Sequence, residues 1–157
     1  MSTTPIVEQI AQKVRQRLGV TEGVSNVVRP TRLGGFRPED MQVHFVQGEK
    51  TKNVTLTCPG NPPAIAWNQP FMVRGELLAS KEDRRPIDQL RNSFEADVQK
   101  ALTTGTVGDW CQWDGLALYS EISNATPYTD SETTITGFEV TLLVIYRTLE
   151  NDPYTQR

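Results

Sequence analysis

The chain has 157 residues, of which 37% are hydrophobic and 22% charged. That is enough length and apolar content to bury a core without metals or disulfides, and too much for a disordered chain. A net charge of −3 argues against a dedicated nucleic-acid binder, which needs a basic footprint.

No apolar run approaches the roughly 20 residues that span a bilayer. The start, MSTTPIVEQIAQKVRQRLG, lacks the basic segment, apolar run and cleavage site of a signal peptide. The expectation is one domain over residues 1–157, made in the cytosol and without a membrane partner. The sequons at Asn53 and Asn124 would then stay unmodified, and Cys58 and Cys111 would be reduced thiols.

The first predicted element is an amphipathic helix. Thr4 is placed to cap it, Pro5 to take its first position, and Glu8 to meet the positive end of its dipole. Ile6, Ile10, Val14 and Leu18 recur every four residues, with Val7 and Ala11 widening the stripe, and Gly19 stops it. A short strand at Val24–Arg29 leads into RPTRLGGFRPED, a turn-rich connection holding Arg29, Arg32 and Arg37. Met41, Val43 and Phe45 alternate with Gln42 and His44, which predicts a half-buried strand with His44 facing solvent. Gly48–Pro63 reads as an excursion in which Val54 and Leu56 form a small hairpin arm, and an arm is expected near 48–64.

The next strand carries Phe71, Val73, Leu77 and Ala79 on one face. Pro86 opens a second helix with the stripe Ile87, Leu90, Phe94, Val98, Ala101 and Leu102, ending near Gly105. TVGDWCQWDG is a tight loop, Leu116–Ile122 a strand, and NATPYTDSETT a polar turn. Tyr119–Ala125 should pair with Ile135–Ile145 as a long hairpin. The order predicts an α+β fold: a mixed, largely antiparallel sheet of four to five strands with two helices packed on one face.

The last strand, GFEVTLLVIYRTLENDPY, poses a problem of cover. Phe138, Val140, Leu142, Val144 and Tyr146 share one face, while Leu143 and Ile145 fall on the other, beside Glu139, Thr141 and Arg147. Two helices cover one face. The second is left to loops such as Gly48–Pro63 or to another subunit. Asn151-Asp152-Pro153 is a stop signal, followed either by a frayed tail, Thr155–Arg157, or by a polar hook with Arg147 free to pair with a carboxylate.

Chemistry is sparse. His44 is the only histidine, so no histidine cluster can hold a metal, and a nucleophile pair would need Cys58 or Cys111 to reach it. LGGF at Leu33–Phe36 matches neither phosphate-binding glycine pattern. Glu82/Asp83 and Asp130/Glu132 read as solvated loop acids. Trp67, Trp110 and Trp113, with Arg74, Arg84 and Arg85, fit edge packing or a subunit contact at least as well as a base-stacking platform. No catalytic, metal, cofactor or nucleic-acid site is read from these residues.

The ending ITGFEVTLLVIYRTLENDPY resembles the C-terminal strand of tail terminators, the tail-completion (neck) proteins of tailed bacteriophages. IVEQIAQKVRQRLG, MQVHFVQG, PGNPPAIAWNQPFMVRGEL and PIDQLRNSFEADVQKAL fall in the order of that family. The resemblance implies a structural virion protein, not an enzyme: a ring, sixfold in the family, that caps the tail tube and joins it to the head connector. The implied partners are further copies of the chain, the tail tube protein and a connector or neck protein, with DNA only as transiting cargo. Acidic side chains lining such a ring would repel phosphate, with Glu76, Glu121 and Glu139 among the acids available. The residues expected at subunit or partner contacts are Leu143, Ile145 and Arg147 on the last strand, Asp152 and Tyr154 in the hook, and Lys50, Lys52 and Trp67 around the arm. The alternatives are another adaptor ring of the head–tail neck and, from a different class, a small cytosolic hydrolase using His44 or a loop carboxylate pair.

Overall fold

A computed structural model describes residues 3–21, 24, 26–29, 41–78, 85–104, 112–130 and 135–156. The expectations for Arg32, Arg37, Leu33–Phe36, Ala79, Glu82, Asp83, Arg84, Gly105, Trp110, Cys111, Glu132 and Arg157 lie outside them, as does the side chain of Asp130.

α1 (Ile6–Gly19) buries Ile6, Ile10, Ala11, Val14 and Leu18, the stripe that its spacing predicts. Its N-cap is Pro5 rather than Thr4. Pro5 is still extended at ψ 147°, and its carbonyl accepts from the N–H groups of Glu8 and Gln9 at 3.0 Å each. α2 (Ile87–Thr103) is built alike, with Pro86 as N-cap and Phe94, Val98 and Leu102 buried. Ile87, expected in the stripe, is 37% exposed because it precedes the turns that reach the core.

Seven strands among the described residues form one sheet: β1 (Asn26–Val28), β2 (Met41–Gln47), β3 (Thr51–Cys58), β4 (Ala64–Leu78), β5 (Tyr119–Asp130), β6 (Ile135–Leu149) and β7 (Asp152–Gln156). The continuous path is β1-β2-β4-β6-β5, and β3 and β7 extend it beside β4 and β6 at one end. β1 runs parallel to β2 and every other pairing is antiparallel. The fold is α+β with a mixed, largely antiparallel sheet; its five-strand path matches the expected size, and β3 and β7 exceed it.

Two segments are strand against their local turn propensity. β4 runs through Asn68 and Pro70, although proline rarely sits inside a sheet. The carbonyl of Pro70 points toward the β2/β3 side, where it accepts from the Gly48 N–H at 2.8 Å. The proline nitrogen faces the same way, into the gap where β2 ends at Gln47↔Phe71 and β3 begins at Thr51↔Asn68. No ladder bond is lost there. On the other flank β5 continues through Asn124–Asp130, paired residue by residue with β6 past a bulge between Ile122 and Asn124. The predicted polar turn is therefore mostly the second half of a hairpin, held by its partner strand against its own turn propensity.

The core lies between the helices and one sheet face. Val43 and Phe45 of β2, Phe71, Val73 and Leu77 of β4, and Phe138 to Tyr146 in alternation on β6 join both helices in a single buried cluster. Phe94 of α2 meets Phe138 edge-on, with ring centroids 5.1 Å apart. Gly75 is required beneath that ring, since a Cβ there would stand 2.3 Å from Phe138 Cζ. Trp113, read from sequence as an edge or contact residue, is 2% exposed and belongs to this core. Its Nε1 donates to Ser120 Oγ at 3.2 Å, and Ser120 Oγ donates to Gln112 Oε1 at 2.9 Å.

Candidate functional site

The sheet face turned away from the helices falls into three zones along β6. The first is polar. Cross-strand register places His44, Arg74 and Glu139 in one row, and Gln42, Glu76, Gly137 and Tyr128 in the next. Arg74 Nη2 lies 3.4 Å from Glu139 Oε2, Arg74 Nη1 lies 4.0 Å from Glu76 Oε1, and the guanidinium stacks 5.0 Å from the Tyr128 ring centroid. Tyr128 donates its hydroxyl to Glu76. Burial, and next that bond to a carboxylate, push the Tyr128 phenol well above its ordinary range. Burial, and then the charge of Arg74, hold His44 down to about 4. The histidine expected to face solvent is thus half-buried in a charged row.

The middle zone is apolar. Val46, Met72, Pro70 and Leu143 occupy adjoining positions on β2, β4 and β6, each half-buried. None belongs to the cluster that holds the helices. Ile145, the next residue along this face, is 8% exposed and also lies outside that cluster. The last strand is therefore two-faced as inferred from sequence: among the described residues, no helix lies over its second apolar set.

The third zone is closed by the arm. Arg147 Nε donates to the Leu56 carbonyl of β3 at 2.8 Å. To reach it from β6, the side chain crosses Ala66 of the intervening β4, and Ala66 is fully buried. Arg147, expected to pair with a carboxylate, instead ties the arm to the sheet, so loop cover is present at this end. The hook is also intramolecular. After Glu150 and Asn151 the chain returns as β7, so Thr155 and Gln156 are strand rather than frayed tail. Asp152 Oδ1 accepts the Tyr154 N–H at 3.0 Å, Asp152 Oδ2 accepts the Thr155 hydroxyl, and Gln156 Nε2 donates to the Gly115 carbonyl. The bond from Thr155, with that from the Tyr154 N–H, holds the Asp152 carboxyl below its usual range. Tyr154 itself is 43% exposed.

Lys50, Lys52 and Trp67 lie on the other side of the sheet. Trp67 is opposite both Lys52 and Tyr146, which puts it on the helix-bearing face, half-buried, with Nε1 donating to Thr148 Oγ1 at 3.1 Å. Lys50 Nζ stands 4.3 Å over its ring. The expected contact residues thus form two groups on opposite faces that meet only at the arm.

The polar block escaped sequence reasoning. Arg74 and Glu76 show the i, i+2 spacing of one strand face, yet their bonds to Glu139 and Tyr128 depend on cross-strand register. Cys58 does not meet His44: their rows cross β6 at Leu149 and Glu139, ten residues or roughly 33 Å apart. No protein-family model matches the chain, and no curated protein matches it.

Proposed function

We propose that the chain is a tail terminator of a tailed bacteriophage: a non-enzymatic subunit that closes into a ring, caps the tail tube and presents a surface to the head connector. The observation that carries the reading is the apolar band Val46, Met72, Pro70 and Leu143, on a sheet face that the helices leave uncovered. Extended apolar surface on a folded chain is characteristic of contacts with other macromolecules. The resemblance of the chain's layout to the terminator family supplies the partners, which are its own copies and the tube.

The test is tube capping. A phage tail tube protein is polymerised with and without this chain, and tube lengths are measured by electron microscopy. The reading predicts short tubes of uniform length with extra density at one end. Tubes that grow to the same length distribution with the chain present, and carry none of it, contradict the reading.

A further inference from the structure

β5 ends the sheet path, and among the described residues no strand pairs with its outer side. An unpaired edge is a template for a further strand, and folded chains guard it with cover, charges, bulges or proline. Over the middle of β5 the guard is neither cover nor charge. Ser123 to Pro127 are exposed whichever face they take, and no charged side chain stands between Ile122 and Thr129.

The register fixes which backbone groups face outward. Along an antiparallel strand the N–H and C=O of one residue point to the same side, and successive residues alternate. The Pro70 carbonyl points away from β6, to the Gly48 N–H at 2.8 Å, so its partner Leu143 turns its own groups toward β5. Two bonds agree. The Ile145 carbonyl accepts from the Leu118 N–H at 2.8 Å, and the Thr141 carbonyl accepts from Ser123 Oγ at 3.4 Å. Phe138 and Val140 therefore turn toward β4. Their partners Pro127 and Ala125 turn to the free edge, as does Thr129 opposite Thr136.

A strand docking there needs a donor and an acceptor from every second residue of β5. Pro127, in the middle of that row, presents a carbonyl and a ring in place of an N–H. The proline costs β5 nothing, because an N–H at this position would point away from β6. Toward the start of the strand the register slips at Ser123, so the step from Ile122 to Ala125, both outward, is three residues instead of two.

We propose that Pro127 and the bulge at Ser123 form an edge stop, which bars a second copy of the chain from extending the sheet at β5. Copies that meet do so elsewhere, as at the apolar band on β2, β4 and β6. The stop acts on a lone chain as on a ring, and so stands apart from the ring reading.

Deleting Ser123 together with Pro127→Thr sets an even row of outward N–H groups along β5, at Ile122, Ala125, position 127 and Thr129. Wild type is expected to level off at a fixed mass in light scattering, whether one chain or a closed oligomer. The double variant is expected to keep growing in mass with concentration, and its Ala125 and Thr129 amides to lose the fast exchange that they show in wild type. Should the deletion unfold the hairpin, Pro127→Thr alone decides: it leaves the register of β5 intact, restores the donor and should show the same changes in weaker form. A folded variant with the masses and exchange rates of wild type overturns the proposal. Slow exchange of Ala125 and Thr129 in assembled wild type overturns it too, since copies would then join at this edge, and that result leaves the ring reading standing.

Discussion

His44 is the only histidine in the chain, so its titration can be followed without overlap. Burial and the charge of Arg74 depress it from 6.5 to about 4. Between those values the unfolded chain binds a proton that the folded chain does not. Stability from the neutral imidazole is therefore complete above pH 6.5 and declines as pH falls toward 4. A proton NMR titration should place the His44 midpoint near 4; a midpoint at the ordinary value would mean that His44 is not buried beside Arg74. Two glycines lie where a side chain would collide. A Cβ on Gly75 would meet a side chain, the buried Phe138 ring, whereas one on Gly137 would meet the backbone carbonyl of Gly75 at 2.3 Å. Gly75→Ala should cost about 1–3 kcal/mol, the usual range for overpacking, and Gly137→Ala more. Urea midpoints for the two variants check the order.

Among the elements, the arm depends most on one side chain. Arg147→Ala removes the bond to the Leu56 carbonyl and uncovers Ala66. The expected cost is roughly 1.5–3 kcal/mol for a charged donor, with faster amide exchange at 53–57 and an unchanged core. Exchange at wild-type rates would mean that the skip in the β3 ladder between Asn53 and Cys58 stands on the side-chain bonds of Asn53 and Thr57 alone. Elements with a strong internal period were legible in the sequence: both helices, β2, and β6 with its two apolar sets. The first half of β4 and the second half of β5 were not, because Asn68, Pro70, Asn124 and Pro127 favour turns locally. What overrides them is nonlocal, a gap between β2 and β3 for Pro70 and the length of β6 for β5. β7 was missed for the same reason, since Asn151-Asp152-Pro153 marks where a strand stops but not that the chain turns back. The alternation that placed Leu143 and Ile145 on a second face was sufficient. Finding Arg74, Glu76, Glu139 and Tyr128 together required the register.

Among the described residues of the whole molecule, the helices bury one sheet face, and on the other polar rows and the arm hold the two ends while no helix lies over the middle. The polar rows around Arg74 occupy one end and the arm tied by Arg147 the other, so the band between them is where a contact gains most from losing water. Leu143→Glu puts a charge in that band without touching the helix-side core. It should abolish assembly while leaving circular dichroism and thermal unfolding near wild type. Loss of the fold instead would assign Leu143 to the core.

The proposed closure of this chain into a ring of its own copies would show first in its mass. Light scattering across a concentration series, with and without purified tail tubes, is predicted to show a discrete closed oligomer, or one recruited by the tubes. A mass that stays at the 17.6 kDa of one chain under every condition would contradict it.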